Sequence, residues 1–188
     1  MDAEFWTNKV LKSQEAYELQ VSKAIDNMDK DITIKAAYST LADIVYDGFA
    51  RSYAIAKECL KEEYGIVDNS VPSDDLLASL TFNKDGKTVD ERIVEHIDKF
   101  FHVSKSQLKQ YIWRLQDTDA MSVFNNTLTE IASKHGYTGY KIISFGTCSS
   151  HSHNCNDEDG KEYAIKDLEH KPPFHPNCRC TIELVEER

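Results

Sequence analysis

At 188 residues the chain is long enough for one medium domain or two small ones, and it can bury a core of its own. Apolar residues make up 40% and charged residues 29%, which excludes a chain too polar to fold, and no run approaches the ~18 uninterrupted apolar residues of a membrane span. The net charge of −10 is spread evenly: 8 basic against 12 acidic residues in 1–66, 8 against 11 in 67–139 and 6 against 9 in 140–188, so no basic region stands ready to neutralise phosphates and direct DNA binding is not expected.

The first ten residues, MDAEFWTNKV, are acidic and lack the apolar stretch of a signal peptide, so an intracellular origin is the expectation. Residues 7–30 read as a helix capped by Thr7, with Val10, Leu11, Ala16 or Tyr17, Val21, Ile25 and Met28 at helical spacing. Residues 32–64 read as a longer helix whose apolar stripe is Ile34, Ala37, Tyr38, Leu41, Val45, Phe49 and Tyr53. Gly65 is placed to end it in a left-handed cap, and Gly48 in its middle marks close packing. Asp68-Asn69-Ser70 and Pro72 favour turns. A short helix over Asp74–Leu80, capped by Ser73, and a turn over Asn83–Lys87 complete a hinge-like stretch.

Thr88 and Glu91 form a capping box that opens a helix to about His102. Ser104 and Gln107 form a second, opening a helix through Leu115, and Asp117 is expected to cap a separate helix from Thr118 to His135. Trp6, Trp113, Phe100 and Phe101 read as scaffold, and Cys59, beside Ala56 and Leu60, reads as core. After Gly136 the character changes: Tyr137–Phe145 is β-branched and aromatic, and Thr181–Val185 alternates, so both read as strands that pair. The expected organisation is an N-terminal helical hairpin (1–66), a linker or hinge (67–88), central helices (89–136) and a C-terminal zinc-binding β/loop module (137–188), hence a mainly α (α+β) protein.

The chemistry concentrates in the last segment. Cys148 and Cys155 are separated by six residues; after a gap of 19 come His175, Cys178 and Cys180 in a His-x2-Cys-x-Cys cluster. In a secreted chain four such cysteines would suggest disulfides, but without a signal peptide metal binding is the better reading. Two close pairs on two loops supply the four soft or borderline ligands of a tetrahedral structural zinc site. The ligand set is Cys148, Cys155, His175 and one or both of Cys178 and Cys180, with His151 and His153 as substitutes. Buried free thiols with a hydrogen-bonded His175 are the plain alternative. Pro172, Pro173 and Pro176 stiffen the approach to the ligands, Asp159-Gly160 is a turn signal, and Arg179 either bonds a loop carboxylate or carbonyl or is a solvated charge.

Enzyme motifs are absent from the sequence: no His-x-Glu with Pro-Cys-x-x-Cys of zinc deaminases, no His-Glu-x-x-His, no Gly-x-Ser-x-Gly and no phosphate-cradling glycine loop. His151, His153 and the carboxylates of Asp157–Asp159 are what a small metal-dependent nuclease or toxin would use, and that is the rival reading.

Cys155-x4-Gly160-Lys161-x-Tyr163, followed by Pro172-Pro173-x-His175-Pro176-Asn177-Cys178-Arg179-Cys180-Thr181, resembles the end of phage head morphogenesis proteins, the minor head proteins of the phage Mu F type. The family's first cysteine of the pair would fall at Ser152, so Cys148, His151 or His153 takes that role, and Glu158-Asp159 stands where Leu-Asp is usual. The resemblance covers about 35 residues. It implies a structural, non-enzymatic minor head protein acting with the portal, major capsid or scaffold protein. It further implies no membrane association and no small-molecule substrate, and a location in the head interior or portal of the virion and in the bacterial host cytoplasm during assembly. Some members of that family carry a toxin domain after this segment; with eight residues following Cys180, none is expected here.

Overall fold

The computed structural model describes residues 1–81, 86–145 and 155–186. Three long helices carry the molecule: α1 (Ala3–Asn27), α2 (Ile34–Tyr64) and α5 (Lys105–Ser133), each packed on the other two. At one end sit the short α3 (Asp74–Ser79) and the amphipathic α4 (Val89–Phe100). At the other is a three-stranded antiparallel sheet of β1 (Tyr137–Ile143), β2 (Glu162–Ala164) and β3 (Thr181–Glu186), in the order β2-β1-β3. The protein is therefore mainly helical with a small C-terminal sheet, as the sequence led us to expect.

Most helix ends follow from local chemistry. Thr33 caps α2 by accepting from the Ala36 amide at 3.2 Å, and Gly65 closes it at φ 68°, a left-handed conformation that costs glycine little. Ser73 caps α3, and Thr88 and Glu91 make the reciprocal bonds of a capping box on α4. Ser104 accepts from the Gln107 amide at 3.3 Å and opens α5. The turn expected over Asn83–Lys87 falls largely on residues 82–85, outside those described.

Two expectations are corrected. The first helix starts a turn earlier than Thr7: Asp2 is its cap, accepting from the Phe5 amide at 3.0 Å, because the extra turn buries Trp6 and lets its indole donate to Glu63 at 2.8 Å. Asp117 does not start a new helix. Its carboxyl meets Glu18 of α1 instead of the backbone, and the Thr118 hydroxyl donates to the Arg114 carbonyl within the helix, so α5 runs on unbroken.

Two apolar cores result. The first, at the α3/α4 end, gathers Val21, Ile25, Leu41, Val45, Phe49, Ile93, Ile97, Leu108 and Ile112. The second joins Trp6, Val10, Ile55, Leu60, Phe124 and Leu128 of the long helices to Tyr140, Ile142, Phe174 and Ile182 of the C-terminal segment. Because α1, α2 and α5 feed both cores, the two ends share one helical frame. Each fully buried Leu, Ile or Phe contributes about 1.5–3 kcal/mol.

Polar contacts cross the same frame. Gln14 donates to the Gly48 carbonyl at 3.3 Å and to the Ser52 hydroxyl at 3.1 Å, while Gln116 donates to Gln14 at 3.3 Å, all buried. A Cβ at position 48 would lie 2.7 Å from both glutamine amides, so a larger residue there would displace the Gln14 and Gln116 side chains from their hydrogen bonds. Arg92 of α4 pairs at 3.0 Å with Asp119, which is wholly buried in α5.

Candidate metal centre

The site hangs on β1 and β3 and on a polar stripe of α5. β1 and β3 pair with Ile142 opposite Ile182 and Ile143 opposite Thr181, so the chain leaves β1 beside the point where it enters β3. The β1 end is also held by Gly160, whose amide donates to the Ile142 carbonyl at 2.9 Å, and by Asp159, which accepts from the Ser144 amide at 2.7 Å. This is the expected Asp-Gly turn, with Gly160 at φ 75°. A single 3-10 turn, Cys155–Asp157, then places Cys155 against the sheet, and Cys178 and Cys180 arrive just before β3.

Thr118, Asn125 and Thr129 lie on one face of α5 and bind the loop that carries the ligands. Asn125 donates to the carbonyls of Pro172 (3.3 Å) and Cys180 (3.2 Å) and accepts from the Thr181 hydroxyl (2.9 Å), all out of water. Thr118 accepts from the Asn177 amide at 3.0 Å. Asn177 itself sits at φ 62°, a left-handed conformation that asparagine tolerates, and the resulting turn brings the Cys178 amide to the His175 carbonyl at 3.1 Å.

The product is a tight group. Ligand atoms of Cys155, His175 and Cys178 all lie within 4.8 Å of one another. The Cys155 sulfur is 3.2 Å from His175 Nε2 and 3.8 Å from the Cys178 sulfur. His175 Nδ1 faces the Pro176 carbonyl at 2.9 Å. A carbonyl only accepts, so Nδ1 carries the proton and Nε2 turns its lone pair toward the Cys155 sulfur, the arrangement seen in imidazole metal ligands.

Cys180 stands beside this group rather than in it. Its thiol hydrogen-bonds to Cys178 and reaches Cys155, but it does not come within 4.8 Å of all three partners. The Cys178 thiol is lowered to about 5, chiefly by the hydrogen bond from Cys180, whose own thiol is pushed far up by that same bond and by burial. All three cysteines are buried in the second core, at 3% exposure or less. The two clustered sulfurs of Cys155 and Cys178 with the His175 imidazole are a donor set that can hold a metal ion.

Cys148, His151 and His153 lie outside the described residues. Arg179 is exposed, beside Glu4, Thr7 and Asn8. Cys59 is fully buried, its thiol pushed up by desolvation. Sequence reasoning missed Thr118 and Asn125, yet a signal was present: Thr118, Ser122, Asn125 and Thr129 recur at helical spacing along one face of the helix.

The fold and site define a mainly helical protein with a small antiparallel sheet and a Cys/His group able to hold a metal ion. The chain matches no protein-family model, no curated protein and no solved structure.

Proposed function

We propose that Cys155, His175, Cys178 and Cys180 hold a structural zinc ion, and that the chain is a minor head protein of a phage or prophage whose helices dock on the portal or on capsid or scaffold subunits. The convergence of the Cys155 sulfur, His175 Nε2 and the Cys178 sulfur carries the first half. Two thiolates about 2.3 Å from a tetrahedral zinc lie about 3.8 Å apart, and a thiolate and an imidazole about 3.6 Å apart. The distances of 3.8 and 3.2 Å fit that frame with little movement. Cys180, hydrogen-bonded to both other sulfurs, supplies the fourth ligand, and a site closed by four protein ligands leaves no position for a reacting water. Bound zinc would staple the loops to the sheet; the role is not enzymatic.

The second half rests on the Pro172–Thr181 motif and its resemblance to the minor head proteins, together with an acidic surface unsuited to gripping DNA directly. Its test is compositional. Heads purified on a density gradient from an induced lysate of the source strain are digested and searched for peptides of this chain. A few copies per head are expected, together with host-cytoplasmic protein during assembly. Absence from heads and from procapsids alike overturns the assignment while leaving the metal site intact.

A further inference from the structure

On the other side of the Asn125 anchor, away from the sulfurs, α3, α5 and the segment 165–173 enclose a cleft of about 550 Å³. Its walls are mixed. Leu80, Ile165, Pro172 and Pro173 give an apolar surface, the hydroxyls of Ser122, Thr129 and Ser133 already donate to backbone carbonyls, and Glu130 and Lys166 add one charge of each sign to the wall. That size and mixture belong to the range of small-molecule sites, which run about 300–1,000 Å³.

The unusual member is Lys171. It lines the cleft with 8% of its surface exposed. Its ammonium has three protons to donate, and among the described residues its one hydrogen bond goes to the Thr129 hydroxyl at 2.8 Å. Among the described residues no carboxylate lies within ion-pair distance of it. Asp167 and Glu130 act only from farther off, and Asp167 is already engaged by His170 at 3.1 Å. The Tyr140 ring, 5.8 Å away, is a weak substitute for a counter-charge. Burial lowers the amine to about 8, the mark of a cation held in too little water. Burying an ammonium without an anion is costly, and a Met or Leu would fill the same space without that cost.

We infer that this cleft binds a small organic carboxylate, with its anionic head on the Lys171 ammonium and its apolar body against Leu80, Ile165, Pro172 and Pro173. The site is separate from the metal group and goes beyond the head-assembly reading; neither depends on it. An inorganic anion would meet the ammonium but waste the apolar wall, whereas an alcohol or amine of the same length would fill the wall and leave the ammonium unmatched or opposed.

Hexanoate is a suitable probe. In calorimetric titration of the full-length protein at neutral pH it is expected to bind saturably, with a Kd of about 1 mM or tighter. Hexylamine and inorganic phosphate should bind at least tenfold more weakly, and Lys171→Met should weaken hexanoate by about tenfold while keeping the helical circular dichroism of the parent. Binding that does not saturate, binding unchanged in Lys171→Met, or phosphate binding as tightly as hexanoate overturns the proposal. Should Lys171→Met fail to fold, the unaltered protein answers the same question by mass spectrometry. Hexanoate is expected to slow reductive methylation of Lys171 several-fold without slowing that of the exposed Lys134; equal rates with and without hexanoate overturn it.

Discussion

The two ends of the molecule are held in different ways. At the α3/α4 end, large aliphatic and aromatic side chains from five helices interlock: Phe49, Leu41 and Val45 of α2 meet Ile93 and Ile97 of α4 and Leu108 and Ile112 of α5. At the C-terminal end, a sheet with strands of seven, three and six residues has too little apolar surface to fix its own loops. There the second apolar core seats the sheet on the long helices, and the loops are fixed by point attachments, namely Asn125 and Thr118 of α5 and the Cys155–His175–Cys178 group. Apolar burial is spread over many residues and yields to mutation in increments. A cluster of ligands is all or nothing, so the two ends should respond differently to the same insult.

The largest separation should come from metal removal. A structural zinc site supplies on the order of 10 kcal/mol of apparent binding energy. Treating the metal-loaded protein with a chelator and a reductant should expose the segment 155–186 to protease and to rapid amide exchange, while α2 and α4 keep their protection. Equal loss at both ends would mean that the ends are not distinct in this way. The converse experiment is Phe49→Ala, which should cost about 3–5 kcal/mol in urea unfolding and leave the metal stoichiometry unchanged. Loss of metal along with stability would show that the site needs the distant core.

Asn125→Ala cuts the attachment between the ends. Its amide serves two buried carbonyls and its oxygen one hydroxyl, so its removal leaves three groups without partners. A loss of about 1–3 kcal/mol is expected, with faster amide exchange in β3 than in α4. Uniform acceleration across the chain would make Asn125 an ordinary core residue.

The smallest effect concerns the carboxyl pair where α1 passes α5. Asp117 is raised to about 7, first by burial and then by Glu18, which is itself raised mainly by burial. The folded state therefore holds a proton that the unfolded chain releases near pH 4. The stability this provides is full in acid and fades as pH rises from about 4 through about 7. Asp117→Asn should flatten that slope and raise the melting temperature at pH 8 by about 2–4 °C, equivalent to about 1 kcal/mol. An unchanged pH profile would show that the pair does not hold a proton.

Much of the helical end was legible because its signals are local. The Thr88 capping box, the Ser73 cap and the Gly65 terminator each act within a few residues and appear where the sequence placed them. The misreadings have long-range causes. Thr7 looked like a cap because nothing nearby announces that Trp6 is anchored by Glu63, 57 residues away. Asp117 looked like a helix start because its true partner, Glu18, lies on another helix. β2 was missed because three residues carry too little pattern to stand out. In the metal group, residue types and spacing pointed to Cys148, Cys155, His175 and one or both of Cys178 and Cys180; Cys148 lies outside the described residues. Distance separates the last two: Cys178 is in the cluster and Cys180 is bonded to its edge.

Metal content tests the central claim most directly. The protein is purified under reducing conditions and analysed by elemental mass spectrometry beside His175→Ala and Cys180→Ala. The account predicts about one zinc per chain in the parent, with both variants losing it and losing protease resistance across 155–186. A freshly reduced, folded parent that carries no metal and takes up none from added zinc would contradict it and leave three buried thiols and an imidazole as ordinary core.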